Sequence, residues 1–288
     1  MIGTIIGDIV GSPYEGSYLR FVDDRNFPLF DETNGRFTDD TVLTCAVADA
    51  LLDMSHNNGR KGHYPPDFRS KFIEWTAKYP GRGYGSAYSM WAAQGGIMKN
   101  KSYANGAMMR CSPIAFFYEN HLGTDILLDV AAESIEWTHN SPEALRGVSS
   151  IVSAIWMAGK KKSKLEIKEH IEENYGHMLD LTVEQWRQHP KPNIRCNLTA
   201  PQALVCFMES TDYESAIRNA VYTKGDTDTI AAITGGIAEA FYGVRSIPQY
   251  MIDEAKKRMT PEMISLVNEF YEKLEKSYTK SQYVGFRI

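Results

Sequence analysis

Two short segments hold the side chains best suited to chemistry: Phe37-Thr38-Asp39-Asp40-Thr41 and Gly225-Asp226-Thr227-Asp228-Thr229. Each crowds two aspartates and two threonines into four successive positions. Carboxylates and hydroxyls without Cys or His are hard oxygen ligands, suited to Mg²⁺, Mn²⁺ or Ca²⁺ rather than zinc. Four Asp with flanking Thr could hold two ions, and two ions ~3.5–4 Å apart can activate a water and orient a hydroxylated substrate. Neither segment has the EF-hand loop pattern with its distal Glu. Capping is the competing account, because Asp and Thr favour helix N-termini and an acid there gains ~0.3–1 kcal/mol from the macrodipole. One acid meets that need. Two at each of two starts would repel one another and raise each other's pKa unless a cation intervenes. Spacing alone leaves both accounts open.

The elements that must position these clusters are helices. Residues 41–52 and 230–242, which follow the two clusters, are apolar on nearly every face, and such helices belong at the centre of a bundle. Around them the 3.6-residue period predicts helices over 66–78, 86–98, 106–119, 124–137, 142–158, 163–174, 199–209, 212–222 and 261–277. Strand-like alternation is scarce, so the chain is expected to be all-α. Ser141-Pro142-Glu143 and Thr260-Pro261-Glu262 each offer a cap, a first-turn proline and an acid. Gly3, Gly7 and Gly11 fall on one face of a helix and predict close packing; no G-x-G-x-x-G follows a strand, so a Rossmann site has little support. The polar stretch from Lys160 to Pro192 reads as a surface excursion, with a solvated face as the default for its charge runs. A bundle needing one buried helix from each half predicts a single domain over residues 1–288.

Composition narrows the function classes. The chain has 288 residues, 43% hydrophobic and 23% charged, enough to bury a large core. Its net charge of −5 and pI near 5.8 argue against a broad grip on nucleic acid or anionic lipid. Cys45, Cys111, Cys196 and Cys206 make no C-x-x-C pair and read as reduced core cysteines. The N-terminus lacks the charge pattern of a secretory signal, and no apolar run approaches the ~20 residues of a membrane span. These features predict a cytoplasmic protein.

The two clusters, with Gly7-Asp8-Ile9-Val10-Gly11-Ser12-Pro13-Tyr14-Glu15, resemble the three signature segments of the ADP-ribosylglycohydrolase family. That family includes dinitrogenase reductase-activating glycohydrolases and ADP-ribosyl-acceptor hydrolases. Ala104-Asn105-Gly106-Ala107-Met108-Met109-Arg110-Cys111-Ser112-Pro113 and Thr138-His139-Asn140 resemble its Asn-Gly and Thr-His elements, and the matches run in family order from residue 7 to residue 243. The resemblance implies a compact, single-domain, orthogonal helical bundle with two Mg²⁺ or Mn²⁺ ions in a central cleft.

Carried over by position, Thr38, Asp39, Asp40, Asp226, Asp228 and Thr229 would ligate the metals. Glu15 would stand beside them as ligand or acid–base group, and Glu15 and Asp40 are the expected catalytic residues. Asp8 would cap or brace, and Thr41 and Thr227 would support or cap. Asn105, Gly106 and Ala107 would open a helix whose free N–H groups could receive a pyrophosphate. His139 would contact ADP-ribose, and Tyr84, in Gly81-Arg82-Gly83-Tyr84-Gly85, could stack on a base or ribose. The implied reaction is attack of an activated water on the anomeric carbon of an ADP-ribosylated protein or small acceptor, through an oxocarbenium-like transition state, releasing ADP-ribose. Arginine-directed members often carry an acid just before the Asn-Gly. This chain has Ser102-Tyr103-Ala104 there, which puts arginine specificity in doubt; Asp23, Asp24, Asp31 or Glu32 could line the acceptor side instead. A monomer is expected. Two alternatives remain at this stage: a non-catalytic ADP-ribose-binding or structural relative, and an immunity protein that occludes an ADP-ribosylating toxin.

Overall fold

The computed structural model describes residues 1–16, 21–30, 35–57, 65–120, 123–189, 194–277 and 282–288. Among the described residues the backbone forms fourteen α-helices and no strand. In chain order these are α1 (Ile2–Gly11), α2 (Asp39–Asn57), α3 (Phe68–Lys78), α4 (Ser86–Ala93), α5 (Ser112–Phe117), α6 (Asp125–Ile135) and α7 (Pro142–Gly159). The second half adds α8 (Lys164–Tyr175), α9 (Val183–Arg187), α10 (Cys196–Met208), α11 (Tyr213–Tyr222), α12 (Thr227–Tyr242), α13 (Gln249–Arg258) and α14 (Pro261–Ser277). The all-α expectation holds. No helix of the described residues is long and apolar enough to cross a membrane.

The centre is an antiparallel pair, α1 against α12. Every residue of α1 is buried, and so is every residue of α12 from Thr227 to Ala240. The three glycines of α1 set the distance between them. A Cβ built on Gly3 would lie 2.6 Å from Gly235 O, one on Gly7 2.1 Å from Ala231 O, and one on Gly11 2.4 Å from Thr227 O. The close packing read from the four-residue spacing is therefore backbone against backbone, with two rows of four-residue period in contact. Gly7→Ala is expected to destabilise the fold by at least about 3 kcal/mol, because the methyl meets a carbonyl that cannot rotate away. Gly123→Ala, with nothing within 4 Å of its Cβ position, is the near-neutral control; chemical denaturation of both variants checks the pair.

The direction of this pair decides where the site forms. Because α1 and α12 run oppositely, the C-terminal end of α1 arrives beside the start of α12. Thr227 Oγ1 donates to Gly11 O at 2.9 Å and joins the two ends. At the opposite end, Glu239 of α12 is fully buried and accepts from Gly3 N at 2.7 Å and from Tyr271 Oη of α14 at 2.6 Å. The two anticipated proline starts are capped as expected: Ser141 Oγ accepts from Ala144 N, and Thr260 Oγ1 from Met263 N.

Some elements differ from the periodicity. The helix expected over 106–119 is split into a 3-10 turn at Asn105–Ala107 and the short α5, since Pro113 belongs in a first turn and disfavours a helical residue before it. The helix expected over 86–98 ends at Ala93, in the turn through Gln94, Gly95 and Gly96. α9 and α13 were missed. The former has five residues, and the latter buries only Met251, Ile252 and Ala255 in a charged sequence, too thin a stripe to stand out. The polar stretch from residue 160 carries α8 and α9, and residues 190–192 of it lie outside the described residues.

Candidate metal centre and ligand cleft

The site grows from Asp8. Packed within α1 and 0% exposed, its carboxylate caps the start of α2: Oδ2 accepts from Thr38 N at 2.9 Å, Thr41 N at 3.1 Å and Thr41 Oγ1, while Oδ1 accepts from Thr38 Oγ1 at 2.7 Å. Burial pushes Asp8 up to about 6 even though these four bonds favour its charged form. α2 is thus docked by its N-terminus onto α1, at the level where α1 reaches α12. The two acidic clusters, almost 190 residues apart in sequence, meet there. Thr229 Oγ1 lies 3.4 Å from Asp40 Oδ2, and Thr38 Oγ1 lies 3.4 Å from the same oxygen.

The carboxylates form two adjoining trios. In one, ligand atoms of Asp8, Asp40 and Asp228 all lie within 4.8 Å of one another; in the other, those of Glu15, Asp226 and Asp228 do. Asp228 belongs to both. Burial, then the neighbouring acids, raises Asp40 and Asp228 well above the carboxylate range. Asp39 rises to about 7 by burial, with Asp8, Asp226 and Glu15 adding to it. Glu15, at the exposed rim, is raised by burial and by Asp226. Among the strongest influences on these five acids the one basic group is Arg36, acting on Glu15.

A divalent cation fits this arrangement on three counts. The donors are hard oxygens. Asp40 Oδ1 is buried without a hydrogen-bond partner, an arrangement that is costly unless a ligand satisfies the atom. The two trios share one carboxylate, Asp228, so the two positions adjoin. Of the six expected ligands, Asp40, Asp226 and Asp228 lie in the trios, and the hydroxyls of Thr38 and Thr229 approach Asp40. Asp39 stands outside both trios and lines the cleft beneath Gly83, where a Cβ would come within 2.9 Å of Asp39 Oδ1. Asp8 was read as a brace; its hydrogen bonds agree with bracing, although it also completes a trio. Thr41 and Thr227 support and cap, as expected.

A cleft of about 480 Å³ opens from the carboxylates, a size that suits a small-molecule ligand. Asn105, Gly106 and His139 line it, together with Ser102, Tyr103, Tyr88, Arg110 and Thr138. Asn105 Nδ2 donates to Asp226 Oδ2 at 2.6 Å and so joins the cleft wall to the acids. Two isolated bridges, Lys101 with His139 and Ala104 with Arg195, hold the 101–105 segment across the cleft.

Several expected residues stand differently. Asn105–Ala107 does not open a helix: the N–H groups of Ala107, Met108 and Met109 all donate to the carbonyls of Ala104 or Asn105, and Ala107 is buried behind the lining. Tyr84 does not line the cleft. It stacks on Tyr88 with ring centroids 5.6 Å apart and donates its hydroxyl to Tyr79 O. Tyr88 takes the cleft-facing position. Asp23 and Asp24 are exposed and outside the lining, and Asp31 and Glu32 lie outside the described residues. The sequence reading missed Arg110, whose guanidinium is 1% exposed and sits 4.1 Å over the Phe72 ring. The one signal for it was a lone charge in an otherwise apolar run.

The ADP-ribosylglycohydrolase family model matches residues 1–280. The human ADP-ribosylhydrolase ARH3 is 25% identical over 86% of each chain. The ADP-ribosylarginine hydrolase Tri1 of Pseudomonas putida is 22% identical over 88% of this chain and 72% of its own. A solved chain of an ADP-ribosylglycohydrolase-related protein complex superposes with a TM-score of 0.69, at 25% identity and over 95% of both chains. With a family match across nearly its whole length and the same fold in a solved relative, the chain belongs to the ADP-ribosylglycohydrolase family.

Proposed function

We propose that the protein is a hydrolase, dependent on two Mg²⁺ or Mn²⁺ ions, that cleaves the glycosidic bond of an ADP-ribosylated protein or small acceptor and releases ADP-ribose. The observation that carries this reading is the pair of carboxylate trios sharing Asp228 at one end of the cleft. Bound there, the cations would supply positive charge that orients ribose hydroxyls and polarises water.

The remaining work falls to the chain's own residues. Asp40, Asp226 and Asp228 would hold the cations, with the Thr38 and Thr229 hydroxyls beside them and Asp39 at the cleft edge. Glu15 stands at the open side of the second trio, where it takes a proton from the attacking water. Asn105 orients Asp226, and His139 and Gly106 contact the ADP-ribose body. The rings of Tyr88 and Tyr103 offer apolar faces along the cleft; Tyr84 supports Tyr88 from behind.

Ser102-Tyr103-Ala104 puts no carboxylate at that position, and Arg195, paired with Glu143 at 2.6 Å, lies 4.3 Å over the Tyr103 ring. The missing carboxylate favours acceptors without a guanidinium. The site draws on both ends of the sequence, which supports one domain over residues 1–288; a monomer in the cytoplasm is the reading the sequence suggests.

Asn105→Ala is expected to weaken Mn²⁺ binding by about tenfold, because Asp226 loses its orienting donor; calorimetric titration of the full chain measures it. A panel of ADP-ribosylated arginine, serine, cysteine, DNA bases and O-acetyl-ADP-ribose, with and without Mg²⁺, tests the activity. Cleavage of at least one member, with Mg²⁺ only, supports the reading. ADP-ribose binding without cleavage of any member would favour a non-catalytic relative or an immunity role.

A further inference from the structure

The two ring nitrogens of His139 have different neighbours. Nδ1 lies 2.9 Å from Thr138 Oγ1. Nε2 faces Gly106 in the cleft wall, 3.2 Å from the position a Cβ would take there. Thr138 therefore decides which nitrogen carries the proton, and Thr138 is itself constrained. Its Oγ1 accepts from Arg110 Nη2 at 2.6 Å. The hydroxyl oxygen has a second lone pair, but Thr138 is 1% exposed and, among the described residues, His139 Nδ1 is the one acceptor paired with its proton, so that proton turns to Nδ1. With Nδ1 accepting, the ring's own proton sits on Nε2.

We propose that Arg110, acting through Thr138, is a positioning residue that fixes His139 as the neutral Nε2–H tautomer, so that the ring presents a constant hydrogen-bond donor to a ligand oxygen beside Gly106. The proposal rests on the reading of the cleft as an ADP-ribose site. Arg110 stands in the cleft wall at 1% exposure: its Nη2 donates to Thr138 Oγ1 and Ser134 O, and its Nε and Nη1 are shut off from solvent without a hydrogen-bond partner among the described residues. A buried guanidinium with so few partners is costly to keep, and the Phe72 ring beneath it offsets part of that cost. Its role in the fold is to direct the Thr138 proton and place a positive charge beside the imidazole. Burial first, and Arg110 second, hold His139 well below its ordinary range. The groups facing the ring are Thr138 on its own segment and Gly106 and Arg110 on the segment across from it; Lys101 meets His139 through the backbone bridge.

The test is ¹⁵N NMR of the histidine rings in the full chain between pH 5 and 8, with the His139 signals assigned by their loss in His139→Gln. The wild type is expected to show a neutral Nε2–H ring that does not titrate in this range. Thr138→Val, close in shape, should abolish the tautomer preference and weaken ADP-ribose binding about tenfold, the size of one lost hydrogen bond. Arg110→Met should loosen the tautomer preference while burial keeps the ring neutral, and Arg110→Lys, which keeps a charged donor, should restore much of the wild-type pattern. A wild-type Nδ1–H ring, or an unchanged Nε2–H signature in folded Thr138→Val, would overturn the proposal. Should Arg110→Met fail to fold, the Thr138→Val result decides. No ADP-ribose binding by a wild type that shows the expected tautomer would overturn the reading of the cleft and leave the relay standing.

Discussion

Asp228→Asn is expected to lower turnover by on the order of a thousandfold and, in the same protein, to raise the melting temperature of the cation-free form. Both effects follow from its place in the two carboxylate trios. An amide oxygen is a weaker, neutral ligand, so neither ion position keeps its charge balance, and losing preorganised charge at a reacting centre costs two to three orders of magnitude in rate. The stability effect has the opposite sign. Asp228 is buried among Asp226, Asp40, Glu15 and Asp8, and burial with these neighbours holds it well above the ordinary carboxylate range. A neutral isostere relieves that repulsion. The site therefore keeps charge at the expense of stability, as functional sites do. Thermal melts of wild type and variant in chelator at pH 8, with turnover of the same preparations under Mn²⁺, measure both.

The stability of the cation-free protein is expected to fall as pH rises from about 4 through about 7. Asp8 goes from 3.8 to about 6 on folding and Asp39 from 3.8 to about 7, both by burial first; Asp40 and Asp228 move well above their ordinary values. Each is an acid raised in the folded state. Between the unfolded and folded values the folded chain binds more protons, so stability drops with increasing pH. Asp8 alone corresponds to on the order of 3 kcal/mol across this window. Divalent cations reverse the trend, because they compete with these same protons and bind more strongly as the acids ionise. The gain in melting temperature on adding Mn²⁺ should be small near pH 5 and large near pH 8. An equal gain at both values would mean that the cations bind elsewhere.

Much of this was legible in the sequence because it rests on short-range rules. Two acids at each of two all-apolar helix starts pointed to a shared site, and the four-residue glycine spacing pointed to close contact. The contact partner was not legible. That Gly7 meets Ala231, and so brings Glu15 and Asp228 together, is a property of the folded pair rather than of either segment. The Asn105–Ala107 turn was misread for a local reason, since an apolar period ran on past Pro113, where a helix must begin. Tyr84 and Tyr88 could not be told apart, because which ring faces the cleft depends on Tyr79 O holding the Tyr84 hydroxyl. Arg110 showed only as a lone charge in an apolar run; its position is defined by Phe72 and Thr138, far away in the chain.

The most direct test of the account is release of ADP-ribose from the acceptor panel by protein dialysed against chelator, before and after Mg²⁺ is restored. The account predicts no release from the dialysed protein, recovery on adding Mg²⁺ or Mn²⁺, and no recovery in Asp228→Asn. Full activity after chelation, or recovery in that variant equal to wild type, would contradict it.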